Sequence, residues 1–163
     1  MPFPTLSHWR TTTFRVPRID SALGAITLAG TIANSRGTGR SNMRVFGQWA
    51  LVYLLAGEGD YRDERGTTCL LKPGQWILVF PEIAHTYGPR KGTNWQELYV
   101  GFRGPVFDLW RREELFNPAQ PVGYWKPPRQ GVNAFRDFFG ILQKSETTSL
   151  KAESQPMMSS DHE

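Results

Sequence analysis

The feature that most constrains this chain is its punctuation. Between Arg44 and Arg103, turn signals recur roughly every eight to twelve residues and separate about six short apolar runs. Trp49–Leu55 (WALVYLL) is followed by Ala-Gly-Glu-Gly-Asp and a short return at Tyr61. Asp63-Glu64-Arg65-Gly66 turns the chain into Thr67–Leu71, and Lys72-Pro73-Gly74-Gln75 turns it into Trp76–Phe80. Pro81 stops that run, His85-Thr86-Tyr87 is short and extended, and Trp95–Arg103 (WQELYVGFR) is the last strong strand. In that strand Trp95, Glu97, Tyr99 and Gly101 share one face, and Gln96, Leu98, Val100 and Phe102 share the other. A helical bundle has no use for 16 Gly and 12 Pro, whereas a β-sandwich or barrel, jelly roll included, does.

The flanks differ in character. Residues 1–22 are polar and Pro-interrupted and read as an N-terminal arm with a short strand at Thr11–Val16. Ala25–Ile32 is a β-branched run of strand length, and residues 33–43 are a loop by composition. The barrel therefore spans 23–104. Pro105–Phe116 carries Val106, Leu109 and Trp110 at helical spacing, a Pro-rich stretch follows, and Gly131–Lys144 places Val132, Phe135, Phe138, Phe139 and Leu142 on one stripe. Residues 105–144 thus form a helical segment for packing or dimerisation, and 145–163 a polar tail or linker.

Of 163 residues, 39% are hydrophobic and 13% aromatic, enough for a single real core. No run of eighteen apolar residues is present and the N-terminus has no signal-peptide pattern, so neither a membrane span nor export is expected. The single cysteine, Cys69, cannot form an intrachain disulfide. It reads as a packing thiol in a reducing, cytoplasmic compartment. The net charge of +4 is spread over scattered Arg and Lys, without a basic stripe, a helix-turn-helix pattern or a Cys/His zinc spacing, so this sequence is not expected to read DNA.

Catalytic patterns are sparse. Only three His occur (His8, His85, His162), which leaves a single core-adjacent imidazole and no expected metal or cofactor. There is no Gly-x-Ser-x-Gly, and nothing in the spacing selects a carboxylate pair from Glu97, Glu58 and Asp60. Binding is better provided for. Trp95, Tyr87, Trp49 and Trp76 supply flat faces, and His85, Arg44, Thr31 and Glu97 supply directed hydrogen-bonding groups. Carbohydrates match this combination, because an aromatic face covers ring C–H groups while polar arms address hydroxyls.

The order Gly57-Glu58-Gly59, Leu71-Lys72-Pro73-Gly74-Gln75, Phe80-Pro81, His85-Thr86-Tyr87, Trp95, Phe102-Arg103-Gly104 resembles the N-terminal ligand-binding and dimerisation domain of AraC-type transcription regulators. The match runs from about Ala29 to Gly104, with the helices to Lys144 consistent with it. The resemblance implies a cupin-like jelly-roll barrel followed by one or two helices, a small-molecule inducer, often a sugar, inside the barrel, and a homodimer. It implies stacking of the sugar on Trp95, with Tyr87, His85, Arg44 and Thr31 around it. Trp49, Trp76 and Glu97 are further candidate pocket residues. It also implies that the arm, including Phe3 and Pro4, folds over the ligand. DNA would be reached only through a helix-turn-helix domain that this sequence does not contain. The expectation is therefore a sensor rather than an enzyme. A cupin-like sugar isomerase or lyase is the alternative, and a barrel with a fully packed interior is a third reading.

Overall fold

The computed structural model describes residues 10–16, 21–35 and 42–153, with side chains to residue 144. Phe3, Pro4, His8 and His162 lie outside the described residues, as do positions 36–41 of the expected loop.

Nine strands and two helices follow one another among the described residues. They are β1 (Thr12–Phe14), β2 (Ala25–Ser35), β3 (Trp49–Ala56), β4 (Gly59–Asp63), β5 (Thr68–Leu71), β6 (Gln75–Val79), β7 (His85–Pro89), β8 (Trp95–Arg103), α1 (Pro105–Arg112), β9 (Val122–Tyr124) and α2 (Arg129–Glu153). The larger sheet has the order β1-β2-β8-β3-β6-β9 and the smaller β5-β4-β7. All pairings are antiparallel.

The expected turns form as their residues dictate. In Lys72-Pro73-Gly74-Gln75 the Gln75 N–H donates to the Lys72 carbonyl at 3.2 Å, and Gly74 supplies a φ of +92° that a side chain would strain. At the β4–β5 turn, Oδ1 of Asp63 accepts from the N–H groups of Arg65 and Thr67, at 3.0 and 2.9 Å. A carboxylate can therefore be buried there without orphaned lone pairs.

Three apolar clusters hold the fold together. Between the sheets, Val52, Leu54, Ile77 and Val79 pack with Tyr61, Leu71 and Trp95. On the outer face of the larger sheet, Tyr53, Leu55 and Leu98 pack under Val132, Phe135, Phe139 and Leu142 of α2. The third cluster joins Trp49, Leu78, Phe80, Ile83 and Phe102, with Phe107 of α1 and Phe116 against it. The aromatic stripe of α2 is thus spent on its own barrel, Phe138 included as a partly buried neighbour.

Several boundaries differ from the sequence reading. β2 runs on to Ser35, into the expected loop, and α1 ends at Arg112 rather than Phe116, shortly before Glu114 takes a positive φ of 58°. The Pro-rich stretch contains β9, which adds to β6 through Trp76↔Gly123. A Cβ at Gly123 would lie 2.1 Å from the Trp76 ring, so glycine lets the backbone cover that indole. The second helix also runs to Glu153, past the Lys144 boundary drawn from composition. Its backbone meets no Gly or Pro between Gly140 and Pro156, and each added residue contributes a helical hydrogen bond once the helix exists. Among the described residues no helix is long and apolar enough to cross a membrane.

Candidate functional site

The alternation of β8 turns Trp95, Glu97 and Tyr99 toward the space between the sheets. Leu28 and Ile32 of β2 and Ala50 and Val52 of β3 share that face, and His85 and Tyr87 of β7 approach from the smaller sheet. Together they line a cavity of about 260 Å³. That is just below the range of roughly 300–1,000 Å³ usual for drug-sized ligands, so the space suits a small solute.

Trp95 is 1% exposed. Its ring lies against Gly59, where a Cβ would come within 2.4 Å of the indole and 2.2 Å of the Gly88 carbonyl oxygen. The absence of a side chain at Gly59 therefore seats the indole. The indole Nε1–H donates to Oε2 of Glu97 at 2.6 Å. Glu97 is itself buried, and desolvation pushes its carboxyl up from 4.5 to about 7, against the opposing pull of the Trp95 hydrogen bond and the more weakly felt charge of Arg44.

His85 is buried and its Nδ1 lies 3.0 Å from the Ile83 carbonyl. A carbonyl can only accept, so Nδ1 carries the proton and Nε2 of the neutral ring is left as an acceptor. Burial holds the imidazole below its ordinary pKa, so the ring is neutral at pH 7. Tyr87 is pushed well above the usual tyrosine range, first by burial and then by Glu97, so its hydroxyl remains a donor. Ring centroids step from Tyr61 to His85 (6.5 Å), His85 to Tyr87 (6.2 Å) and Tyr87 to Trp95 (6.4 Å). Of this row His85, Tyr87 and Trp95 line the cavity, while Tyr61 belongs to the packed inter-sheet cluster.

Arg44 is placed by its backbone. Its N–H donates to the His85 carbonyl at 2.9 Å and its carbonyl accepts from the His85 N–H at 3.0 Å. Arg44 is an exposed residue, and its guanidinium lies 5.6 Å over the Phe46 ring. It lines both this cavity and a neighbouring recess that also reaches His85 and Tyr87.

Five of the eight candidates thus come together: Trp95, Tyr87, His85, Arg44 and Glu97. Three are placed elsewhere. Thr31 is 3% exposed on the opposite face of β2, where it pairs with Leu98 and donates its hydroxyl to the Arg10 carbonyl. Trp49 is packed in the third cluster and donates to Asp108 of α1 at 3.2 Å. Trp76 faces α2 and β9, opposite Tyr53. Cys69 is half-buried beside the inter-sheet cluster, and burial raises its thiol pKa, in keeping with a packing role. Sequence reasoning did not select Tyr99 or Phe46. Tyr99 shares a face with Trp95 and Glu97 in the β8 alternation, which is the signal that finds it. Phe46 sits outside any strand and gives no such signal. Among the described residues no three His, Cys, Asp or Glu side chains converge as a metal site.

The family model described as the AraC-like ligand binding domain matches residues 25–159. The chain belongs to that family. The AraC-like ligand binding domain gives it a general role in ligand sensing, and the cupin-like jelly-roll barrel followed by helices is the fold observed. No curated protein matches the sequence. Among solved structures the chain is similar to the protein YhaK from Escherichia coli (12% identity, TM-score 0.52), covering 71% of this chain and 50% of that one. The chain thus spans half the length of YhaK, and at this identity the likeness is one of fold. It is also similar to the Cnp3 cupin domain of Schizosaccharomyces pombe (12% identity, TM-score 0.45, covering 67% and 78%). A cupin family protein from Methanocaldococcus jannaschii gives 9% identity and a TM-score of 0.41, covering 66% and 91%.

Proposed function

We propose that this domain senses a small polyhydroxylated molecule, a carbohydrate in the first instance, for a transcription regulator. The observation that carries the reading is the buried Trp95 on the wall of a small cavity, beside the polar groups of Glu97, His85 and Tyr87. The indole covers the C–H face of the ring. The Tyr87 hydroxyl donates, Nε2 of His85 accepts, and Arg44 addresses hydroxyls from the exposed side. Occupancy biases the domain between two states by the difference in ligand affinity for each. Pairing of two copies belongs to the same reading. Leu23 and Ile141, 69% and 66% exposed, flank an apolar groove between the start of β2, α1 and α2 that a second copy would cover.

Calorimetry against pentoses, hexoses and uronates tests the cavity, with Trp95→Ala as the control. Saturable binding that Trp95→Ala abolishes is the expected result. An unchanged best affinity in the variant removes the stacking role. Light scattering tests the pairing. Metal analysis of the purified protein addresses the isomerase or lyase alternative, which stoichiometric metal bound by barrel side chains would favour.

A further inference from the structure

Glu97 is 5% exposed and lines the cavity, yet only one of its two oxygens is spoken for. Oε2 accepts from the Trp95 indole. Oε1 has no protein partner among the described residues. It is not sealed in either, because the one fully buried side-chain polar atom there without a partner is Oε1 of Gln96. Oε1 of Glu97 therefore reaches open space, and the space Glu97 lines is the cavity.

Nor does the carboxylate have a cation of its own. The ion pairs among the described residues, Arg90–Asp60 and Arg111–Glu82, are both at the surface. Arg44 lines the same cavity and its charge is felt weakly at Glu97, but its guanidinium packs over Phe46 and makes no ion pair with the carboxylate. The remaining groups facing Glu97 are uncharged. Besides Arg44, the cavity is lined by the rings of Trp95, Tyr87, Tyr99 and Phe46, by neutral His85, by Ser35 and by aliphatic side chains. A carboxylate without an ion-pair partner, set among aromatic faces, is an environment that attracts an ammonium group twice over.

We propose that the ligand of this cavity carries a protonated amine, seated against Oε1 of Glu97 among the rings of Trp95, Tyr87 and Tyr99. Resting on the polyol reading above, this makes the ligand an amino sugar. A neutral hydroxyl also donates to Oε1 but leaves the charge unbalanced, so the site discriminates between a sugar and its amino counterpart.

The test is calorimetry at pH 7.5 with matched pairs: glucose and glucosamine, galactose and galactosamine, mannose and mannosamine. Cyclohexanol and cyclohexylamine form a fourth pair without the polyol. The amine of at least one sugar pair is expected to bind at least tenfold tighter than its neutral partner. Glu97→Gln, which keeps an acceptor for the indole, is expected to bring that ratio to within about twofold. Equal affinities within every pair, a preference that survives Glu97→Gln, or no binding by any amine overturns the proposal. Equal binding of both sugars leaves the polyol reading standing, whereas binding of cyclohexylamine alone keeps the ammonium site and removes the polyol. If Glu97→Gln does not fold, the wild-type pairs decide.

Discussion

The indole N–H of Trp95 and the carboxylate of Glu97 are two residues apart on one strand and 2.6 Å apart in space, both buried. Neighbours i and i+2 share a strand face, so the strand itself delivers donor to acceptor. Trp95→Phe removes the donor and strands a buried carboxylate oxygen, at an expected cost of about 1–3 kcal/mol. In a Glu97→Gln background the same change strands only an amide. A double-mutant cycle by urea unfolding is expected to show coupling of about 1 kcal/mol or more. Additivity within about 0.5 kcal/mol rules out a working pair.

The pH dependence of stability follows from the raised Glu97 carboxyl. Because its folded pKa is about 7 against an ordinary 4.5, its favourable contribution is complete below about 4.5 and lost as pH rises through about 7. Glu97→Gln carries no such loss. Relative to wild type it is expected to gain on the order of 2–3 kcal/mol between pH 5 and pH 8. His85, held below its ordinary pKa, works in the other direction: its contribution is lost as pH falls below about 6.5. Both proteins contain His85, so the difference between them isolates Glu97. A difference that is flat with pH removes the buried-charge assignment.

Two glycines separate the site from the scaffold. Gly59→Ala forces a methyl against the Gly88 carbonyl and the Trp95 ring, with an expected cost of about 1–3 kcal/mol and a shift in indole fluorescence. Gly140 lies within α2, and a methyl group there would meet nothing within 4 Å. Gly140→Ala is therefore expected to stabilise by roughly 0.5–1 kcal/mol. Thermal melts of the two variants moving in the same direction contradict the packing described.

Thr31→Val separates the resemblance from the structure. The hydroxyl holds the Arg10 carbonyl on the face away from the cavity. Its loss is expected to cost about 1 kcal/mol and speed amide exchange around β1, while ligand affinity stays within twofold. A tenfold fall in affinity at unchanged stability returns Thr31 to the binding site.

The β-strands and their turns were legible because each depends on neighbours in sequence. Pro73-Gly74 and Asp63–Gly66 specify backbone angles locally, and the alternation of β8 places Trp95, Glu97 and Tyr99 on one face. The faces of Thr31, Trp49 and Trp76 were not legible. Each is decided by which strand lies alongside: Thr31 is level with Leu98, Trp49 with Phe102 and Trp76 with Tyr53. Those partners belong to the faces covered by helices. Aromatic character alone does not distinguish a ring facing a cavity from one facing a helix. The strand β9 was hidden in a Pro-rich stretch because its pairing partner, β6, is a distant one in sequence. The extension of α2 was hidden because its polar residues give no amphipathic signal.

The two outermost strands of the larger sheet, β1 and β9, have three residues each. A strand that short presents few free N–H and C=O groups to a passing chain. From these two outermost positions the larger sheet therefore gives another chain little backbone to extend.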